Sequence, residues 1–364
     1  MSKELENKLV TLIGEWLNLL SDYELEQAKE LQAQITELMR FNTISKQVTS
    51  YYDLVNFKHQ MLANQILHRL DGQISAQVVD VEETDNTLNY LYNYMEGLLA
   101  TNTERYIEAL SYYREAEKYL VYVSINEQAE FYFRQAHVYY RLDQNLTALS
   151  YANHSFEMIK NSQRHTKLKI NALMLKSGVY SEAGNYDRSD KYSNQAIMLA
   201  TQEPYAKSLA IRGKANNSYR HGRLDEAINL YSEALDTGGQ KNTIIGVKTR
   251  YNLANTLLKI GAYDKGKELL ERVEKELEDH SLGLREYVAR CSVTRGLYLE
   301  RTVDESLINR GFMILKEHHL FFEMNELAED LSNYYKLNEN YEKALSYLHI
   351  SQQATKGNYL IGAE

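Results

Sequence analysis

Apolar residues along the chain recur three or four residues apart, the spacing of one face of an α-helix rather than the alternation of a strand. Residues 4–20 show this pattern, and it returns over 25–41 and 51–70. Ser21, with Glu24 three residues later, matches a capping box and predicts the start of the second helix. The pattern predicts an all-α protein that opens with a three-helix bundle.

The helical pattern stops after the third predicted helix. Residues 72–87 begin with Gly72, are rich in polar and acidic side chains, and predict a linker. Helical spacing resumes afterwards and continues to the end of the chain. The predicted organisation is therefore a bundle over 1–71, a linker over 72–87 and a second helical domain over 88–364.

The second domain contains an internal repeat. A small residue inside a similar short segment returns at intervals of 38 to 41 residues, and another small residue often precedes it by twelve. The repeated positions are Ala109, Ala148, Ser189, Ala227, Gly266, Ser306 and Ala344, and the preceding ones are Gly97, Ala136, Ser177, Ala215 and Ala254. Gly184, Gly222 and Gly261 lie in the intervening turns. This pattern is typical of tetratricopeptide repeats with a lengthened period, so we expect a right-handed solenoid of about seven helix pairs.

The composition of the chain limits the classes of function and the cellular compartment that fit it. The formal net charge is −9, which disfavours nucleic-acid binding. The single cysteine, Cys291, excludes an internal disulfide and fits a reducing compartment. The chain shows no apolar signal core and no apolar run of membrane length, so we expect a cytoplasmic protein. Scattered histidines and the lack of a phosphate-binding glycine loop predict no metal site, no cofactor and no independent enzyme.

A concave solenoid surface predicts a peptide groove. An asparagine side chain can pair with both the N–H and the C=O of a bound backbone, and tyrosine, present thirty times, suits half-buried surfaces. The candidate groove residues are Tyr139 with its neighbour Tyr140, Tyr180, Glu182, Asn216, Asn252 and Asn255. His59, on the apolar face of the third helix, is interpreted as a core histidine.

The chain resembles the Rap proteins of bacilli over essentially its whole length. The resemblance is carried by the segments IGEWLNLL (13–20), YYDLVNFKHQML (51–62), YLYNYMEGLLATNTERYIEALSYYREAEKYL (90–120) and FYFRQAHVYYRLDQNLTALSYANHSFEMI (131–159). It implies a regulator inhibited by a short Phr-type signalling peptide in the repeat groove. It also implies a bundle that binds a response regulator, either removing its aspartyl phosphate or blocking its DNA-binding domain.

The resemblance implies a catalytic glutamine five residues before the first tyrosine of the Tyr51-Tyr52 pair. Lys46 stands at that position here, and Gln47 follows it. A helical segment would rotate Gln47 about 100° away from the direction of Lys46, whereas a loop could absorb the shift. The magnesium ion needed for dephosphorylation would belong to the partner's receiver domain. The implied regulator-binding residues are Lys46, Gln47, Ser50, Tyr51 and Asp53.

The peptide groove departs from the family in a second place. The family's groove acid falls at Glu182, but its asparagine falls at Gly213, with Asn216 nearly one turn further on. We expect Asn216 and Asn252 to share the missing role. The alternatives are a protein-interaction scaffold without a peptide ligand, or a peptide-sensing transcriptional regulator without phosphatase activity, which the acidic front end disfavours.

Overall fold

The computed structural model describes residues 3–21, 24–67, 86–162, 165–279, 284–300 and 302–361. Over these residues the chain forms seventeen α-helices and two short 3-10 turns, with no strand. The prediction of an all-α protein is confirmed.

The first three helices are α1 (Lys3–Ser21), α2 (Leu25–Arg40) and α3 (Lys46–Leu67). They pack around Trp16, which is fully buried and donates a hydrogen bond from its Nε1 to Nδ1 of His59 at 3.2 Å. Burial of the ring and the nearby Lys29 ammonium lower the pKa of His59. His59 is therefore a neutral core acceptor, as its place on the apolar face predicts.

Two boundaries differ from the prediction. Ser21 is the last residue of α1 and is buried, whereas α2 begins at Leu25 without a side-chain cap, so the predicted capping box is wrong. The hydroxyl of Ser21 instead donates a hydrogen bond to the Glu127 carboxylate. The second difference is the start of α3, which is predicted at Tyr51 and observed five residues earlier, at Lys46. Val48 is buried and extends the apolar face of the helix towards its N-terminus.

Seven antiparallel helix pairs follow, which confirms the predicted repeat number. They are α4 (Asn86–Asn102) with α5 (Tyr106–Glu117), α6 (Ile125–Arg141) with α7 (Asn145–Ile159), α8 (Thr166–Glu182) with α9 (Tyr186–Leu199), α10 (Pro204–Arg220) with α11 (Leu224–Asp236), α12 (Ile244–Lys259) with α13 (Tyr263–Asp279), α14 (Arg285–Tyr298) with α15 (Glu305–Glu317), and α16 (Phe321–Leu337) with α17 (Tyr341–Ile361). Most of the predicted linker lies outside the described residues, and its last two residues already belong to α4.

The twelve-residue spacing of small residues marks where the two helices of a pair touch. Ala136 with Ala148, and Ala215 with Ala227, are completely buried. In the sixth pair the contact is not at Ser306, whose N–H and hydroxyl bind the Asp304 carboxylate at the start of α15. The buried fourth residue of α15 is Ile308, and Gly296 faces it twelve residues earlier. A bulky residue on one helix is thus accommodated by glycine on the other.

The turns inside six of the seven pairs share one backbone conformation. Gly184, Gly222 and Gly261 have φ of +70°, +75° and +85°, as expected for left-handed residues that end a helix. Glu104, Asp143 and Glu339 adopt the same conformation without being glycine. The turn is therefore set by the repeat geometry, and glycine is only its most favourable occupant.

Candidate functional site

The first turn of α3 carries the candidate regulator-binding residues. Lys46 and Gln47 are both exposed there, and both belong to the helix. Consecutive helical residues differ by about 100° in direction. Lys46 therefore points where the resemblance implies a glutamine, and Gln47 points to a neighbouring side of the helix.

The other three candidates on α3 differ in exposure. Asp53 is exposed, two turns from Lys46 and on the same side of the helix. Tyr51 is half-buried, with its hydroxyl close to Gly14 of α1. Ser50 is only 7% exposed, so its assignment to an accessible binding surface is corrected. The exposed candidates on this helix are Lys46, Gln47 and Asp53.

Further along α3, a buried ion cluster joins the bundle to the repeats. Lys58 is 1% exposed, and its Nζ lies 2.5 Å from Glu127 and 3.4 Å from Glu130, both on α6. Ser21 of α1 and Tyr90 of α4 also donate to the Glu127 carboxylate. We call Ser21, Lys58, Tyr90, Glu127 and Glu130 the junction cluster. It holds four helices together with charged and polar groups in place of apolar side chains.

Aromatic rings surround the junction cluster. Tyr90 and Tyr94 stack at 5.5 Å between ring centroids, Phe131 packs on both, and the ammonium of Lys58 lies 5.4 Å from the Tyr94 ring. These rings exclude water, so losing one charge would leave the opposite charge buried and unpaired. Sequence reasoning missed the cluster. The sequence feature that could have indicated it is a single lysine, Lys58, within the apolar face of α3, together with two acids one turn apart on α6, Glu127 and Glu130.

The second candidate site is the groove, which we define as the concave surface between α6, α8, α10, α12, α14 and α16. Ion pairs cross it and connect the last two of these helices to the earlier ones. The pairs are Arg141–Glu286 at 3.0 Å, Arg220–Glu326 at 3.1 Å, Lys259–Asp330 at 2.9 Å, and Arg141–Glu323. The sixth and seventh repeats therefore face the second to fifth across the groove.

The predicted asparagines lie on neighbouring inner helices and contact each other. Asn252 donates from Nδ2 to Oδ1 of Asn216 at 2.9 Å, and the Tyr231 hydroxyl donates to the same oxygen. Asn255 donates to the Tyr219 hydroxyl and accepts from Thr294. Asn216 and Asn252 are both half-buried. The structure thus brings the predicted asparagines together in one polar band across α10, α12 and α14.

Glu182 lies at the end of α8 in the groove. Its carboxylate accepts from the Tyr140 hydroxyl at 2.6 Å and from Asn145 at 2.9 Å, and Arg220 lies 3.3 Å away. Burial raises the pKa of Glu182 to about 7, although Arg220 and the two hydrogen bonds act in the opposite direction. Glu182 is an acid whose charge changes near neutral pH.

Two tyrosines predicted to line the groove, Tyr139 and Tyr180, face away from the groove. Tyr139 stacks on Tyr151 of α7 at 5.4 Å, and Tyr180 stacks on Tyr192 of α9 at 5.5 Å. Their assignment to the groove is corrected, because each packs against the outer helix of its own pair. Tyr140, one residue and about 100° further on, reaches Glu182 instead.

Gly213 lies on α10 beside α8, where an added Cβ would approach Cε of Met174 at 3.4 Å. The position lies three residues before Asn216, which occupies the next turn. The asparagine that meets Asn252 is therefore Asn216.

A three-helix bundle docked on seven tetratricopeptide-type pairs, with a polar groove inside, defines a tetratricopeptide-repeat protein with an N-terminal helical bundle. Residues 5–64 match the family model described as response regulator aspartate phosphatase H, N terminal. The chain belongs to the Rap family.

Relatives resemble the chain from end to end. Response regulator aspartate phosphatase A of Bacillus subtilis is 24% identical over 96% of this chain and 95% of its own length. A crystal structure titled as a Rap protein complexed with competence and sporulation factor superposes with a TM-score of 0.90 at 21% identity, over 98% of this chain and 99% of that one. A Rhodococcus hoagii protein named type II methyltransferase M.CeqI is 32% identical over 98% of this chain and 69% of its own length.

Among the helices in the described ranges, none is long and apolar enough to cross a membrane. The same part of the chain contains no group of three or more His, Cys, Asp or Glu side chains arranged to hold a metal ion.

Proposed function

We propose that the protein binds a response regulator through the first turns of α3 and is controlled by a short peptide in the groove. The observation that carries the proposal is that α3 bears both the candidate regulator-binding residues and the contact with the repeats. Its exposed first turn holds Lys46 and Gln47, and its buried middle holds Lys58 on Glu127 of α6. Any change in how α3 sits on the repeats therefore moves the candidate regulator-binding turn.

The groove supplies the control. Peptide lying along the asparagine band would contact α10 and α12 directly and would meet the cross-groove pairs to α16. Stabilising this arrangement favours the compact state in which the bundle is docked, and disfavours regulator binding by the same free energy. The Rap conjugation gene regulator of plasmid pLS20, which superposes with a TM-score of 0.73 at 18% identity, was solved in complex with the Phr* peptide, and this supports the assignment.

Binding without dephosphorylation is the primary form of the proposal, because a lysine stands in the direction where the family uses a glutamine. Lysine donates but cannot accept a hydrogen bond, so it cannot orient an attacking water as a glutamine amide does. Phosphatase activity is the second candidate, supported by the exposed Gln47 in the same turn.

Decay of phosphorylated receiver domains separates the two forms. Response regulators of the source organism are first screened for complex formation with the full chain, and the binders are phosphorylated. We expect wild-type protein to bind without accelerating decay, and Lys46→Gln to accelerate it. Acceleration by wild type that is lost in Gln47→Ala would establish the phosphatase form. Lys29→Met, on the exposed side of α2, is the control, and failure of every regulator to bind would contradict the proposal.

Methyl transfer, named for the Rhodococcus hoagii relative, is not proposed. Open-sheet α/β enzymes bind their ligands in a crevice at the carboxyl ends of parallel strands. The described part of this chain contains no strand, and thus no crevice of that kind.

A further inference from the structure

The last helix pair presents a face that every earlier pair covers. Each outer helix from α5 to α15 contacts the inner helix of the following pair, as where Tyr113 of α5 packs on Phe131 of α6. The eighth residue of the outer helix is buried in all six of these pairs: Tyr113, Ala152, Ser193, Tyr231, Leu270 and Phe312. In α17 the eighth residue is Leu348, and it is 41% exposed. The stacking surface of the seventh pair is therefore open.

This open face of α17 is apolar along its centre. Leu345, one turn before Leu348, is 68% exposed, and the two belong to a helical row that runs from Tyr341 to Gln352. The terminal pair of a repeat array needs a polar outer face to remain soluble by itself. Two exposed leucines in the middle of this face therefore indicate a surface that another molecule covers.

Three polar residues flank the apolar row at intervals of seven. They are Glu342, His349 and Lys356, which are all exposed. Residues seven apart lie on one side of a helix. A two-fold axis that crosses α17 at His349 would place Glu342 of one chain beside Lys356 of the other, and the reverse pair beyond the axis. The flank thus complements itself in an antiparallel arrangement, whereas a parallel arrangement would bring like charges together.

The other end of the repeat array favours contact between like ends. There α3 of the bundle packs on α4, in the place that the outer helix of a preceding pair would take. Lys58 of α3 and Tyr90 of α4 both donate to the Glu127 carboxylate and close this contact. A second copy cannot stack its α17 on α4 while the bundle is docked, which leaves the last pairs of two copies to meet.

We propose that two copies of the chain associate through α17, antiparallel about a two-fold axis at His349. Leu348 of each copy packs near the axis, Leu345 lies against the partner's Gln352, and Glu342 pairs with the partner's Lys356. The contact is one helix wide, which is less than most stable dimers bury, so we expect a dissociation constant in the micromolar range. It uses neither the groove nor the first turn of α3.

Sedimentation velocity on the full chain measures the association. Concentrations from about 1 to about 200 µM span the expected dissociation constant. We expect the sedimentation coefficient to rise from the monomer value to the dimer value and to stop there. Leu348→Glu places two carboxylates near the axis and should weaken the dimer at least about tenfold. Leu146→Glu, the same change at an 85% exposed leucine of α7, is the matched control and should leave the dimer unchanged.

Charge reversal tests the antiparallel arrangement. Glu342→Lys and Lys356→Glu each replace an attraction by a repulsion at both symmetry-related places, so each should weaken the dimer several-fold, and more at low salt. The double variant carries opposite charges across the interface again and should recover the dissociation constant of the wild type. Circular dichroism checks that each variant keeps its helical content, so that a loss of association is not a loss of fold.

The outcomes separate the occupants of the face. A monomer at every concentration would overturn the proposal, and so would a dimer that Leu348→Glu leaves intact, because another surface would then hold it. Growth beyond the dimer would contradict a closed two-fold contact. Failure of the double variant to recover association would overturn the antiparallel arrangement. A monomeric wild type whose regulator binding is lost in Leu348→Glu would assign the face to the regulator instead.

Discussion

Glu339 occupies a backbone conformation that favours glycine, with φ of +59° in an exposed turn. A non-glycine residue in the left-handed region costs about 1–2 kcal/mol. Glycine removes that cost, but its greater conformational freedom in the unfolded chain offsets part of the gain. We expect Glu339→Gly to raise the free energy of unfolding by about 0.5–1 kcal/mol, measured by urea denaturation. Gly222→Ala, in the equivalent turn at φ +75°, should lower it by a similar amount. A destabilising Glu339→Gly would contradict this account of the turn.

Glu182 should make stability depend on pH. Its pKa is raised to about 7 in the folded protein, against 4.5 as its ordinary value. Between these values the folded chain holds a proton that the unfolded chain has released, so this carboxyl makes stability fall as pH rises. The slope for one such proton is at most about 1.4 kcal/mol per pH unit. Thermal unfolding midpoints from pH 5 to 8 should therefore fall more steeply for wild type than for Glu182→Gln, and parallel curves would refute the assignment.

The sequence placed Asn216, Asn252 and Asn255 on inner helices, and the structure joins them in one polar band, while their peptide-binding role stays a prediction. The direction of a side chain was harder to predict. Tyr139 and Tyr180 were misplaced because neighbouring helical residues point about 100° apart, and the repeat pattern does not distinguish the inner from the outer side at that resolution.

At the scale of elements, the contact between α14 and α15 depends on Gly296. A Cβ there would lie 2.7 Å from the carbonyl oxygen of Asp304, which belongs to the backbone and cannot move aside easily. We expect Gly296→Ala to destabilise the protein by about 1–3 kcal/mol through overpacking, measured by urea denaturation.

Gly213→Ala is the matched control for that substitution. It makes the same change inside a helix, but its Cβ would reach only the flexible end of Met174 at 3.4 Å. The better helix propensity of alanine should leave stability unchanged or raise it by up to about 1 kcal/mol. Equal losses from both substitutions would show that Gly296 has no special role between α14 and α15.

The start of α3 shows how one boundary changes a functional interpretation. The sequence leaves open whether Lys46 and Gln47 are loop or helix. Burial of Val48 extends the helix over both residues. The one-residue offset of Gln47 from the family's glutamine position therefore turns its side chain by about 100°, because a helix cannot absorb the offset as a loop could. The decision rests on a packing contact in the bundle, and no local propensity expresses it.

At the scale of the whole molecule, the junction cluster should control docking of the bundle. Lys58→Met leaves Glu127 and Glu130 buried with less positive charge, which costs about 3–5 kcal/mol for a broken buried pair. We expect the bundle to leave α6, seen as faster amide hydrogen exchange in α3 and a larger radius of gyration by X-ray scattering. Regulator binding should then persist in the presence of peptide.

Two variants keep that prediction specific. Glu130 keeps an ion pair with Arg134 at 3.1 Å when Lys58 is lost, so Glu127 is the carboxylate left without a cation. Adding Glu127→Gln to Lys58→Met removes that charge and should restore much of the docking. Lys29→Met changes a lysine on the exposed side of α2 and should alter neither exchange nor size. An unchanged Lys58→Met protein would show that apolar contacts alone hold the bundle.

The sequence by itself determined the all-α class, the three-helix front end and the seven stacked pairs. These follow from apolar spacing and from small residues twelve apart, which are local patterns. Only the tertiary structure decided the junction cluster and the ion pairs across the groove. Their partners lie far apart in the chain, as Lys58 and Glu127 or Arg141 and Glu323 do. Which charges meet depends on how the solenoid closes, and that geometry accumulates over all of its repeats.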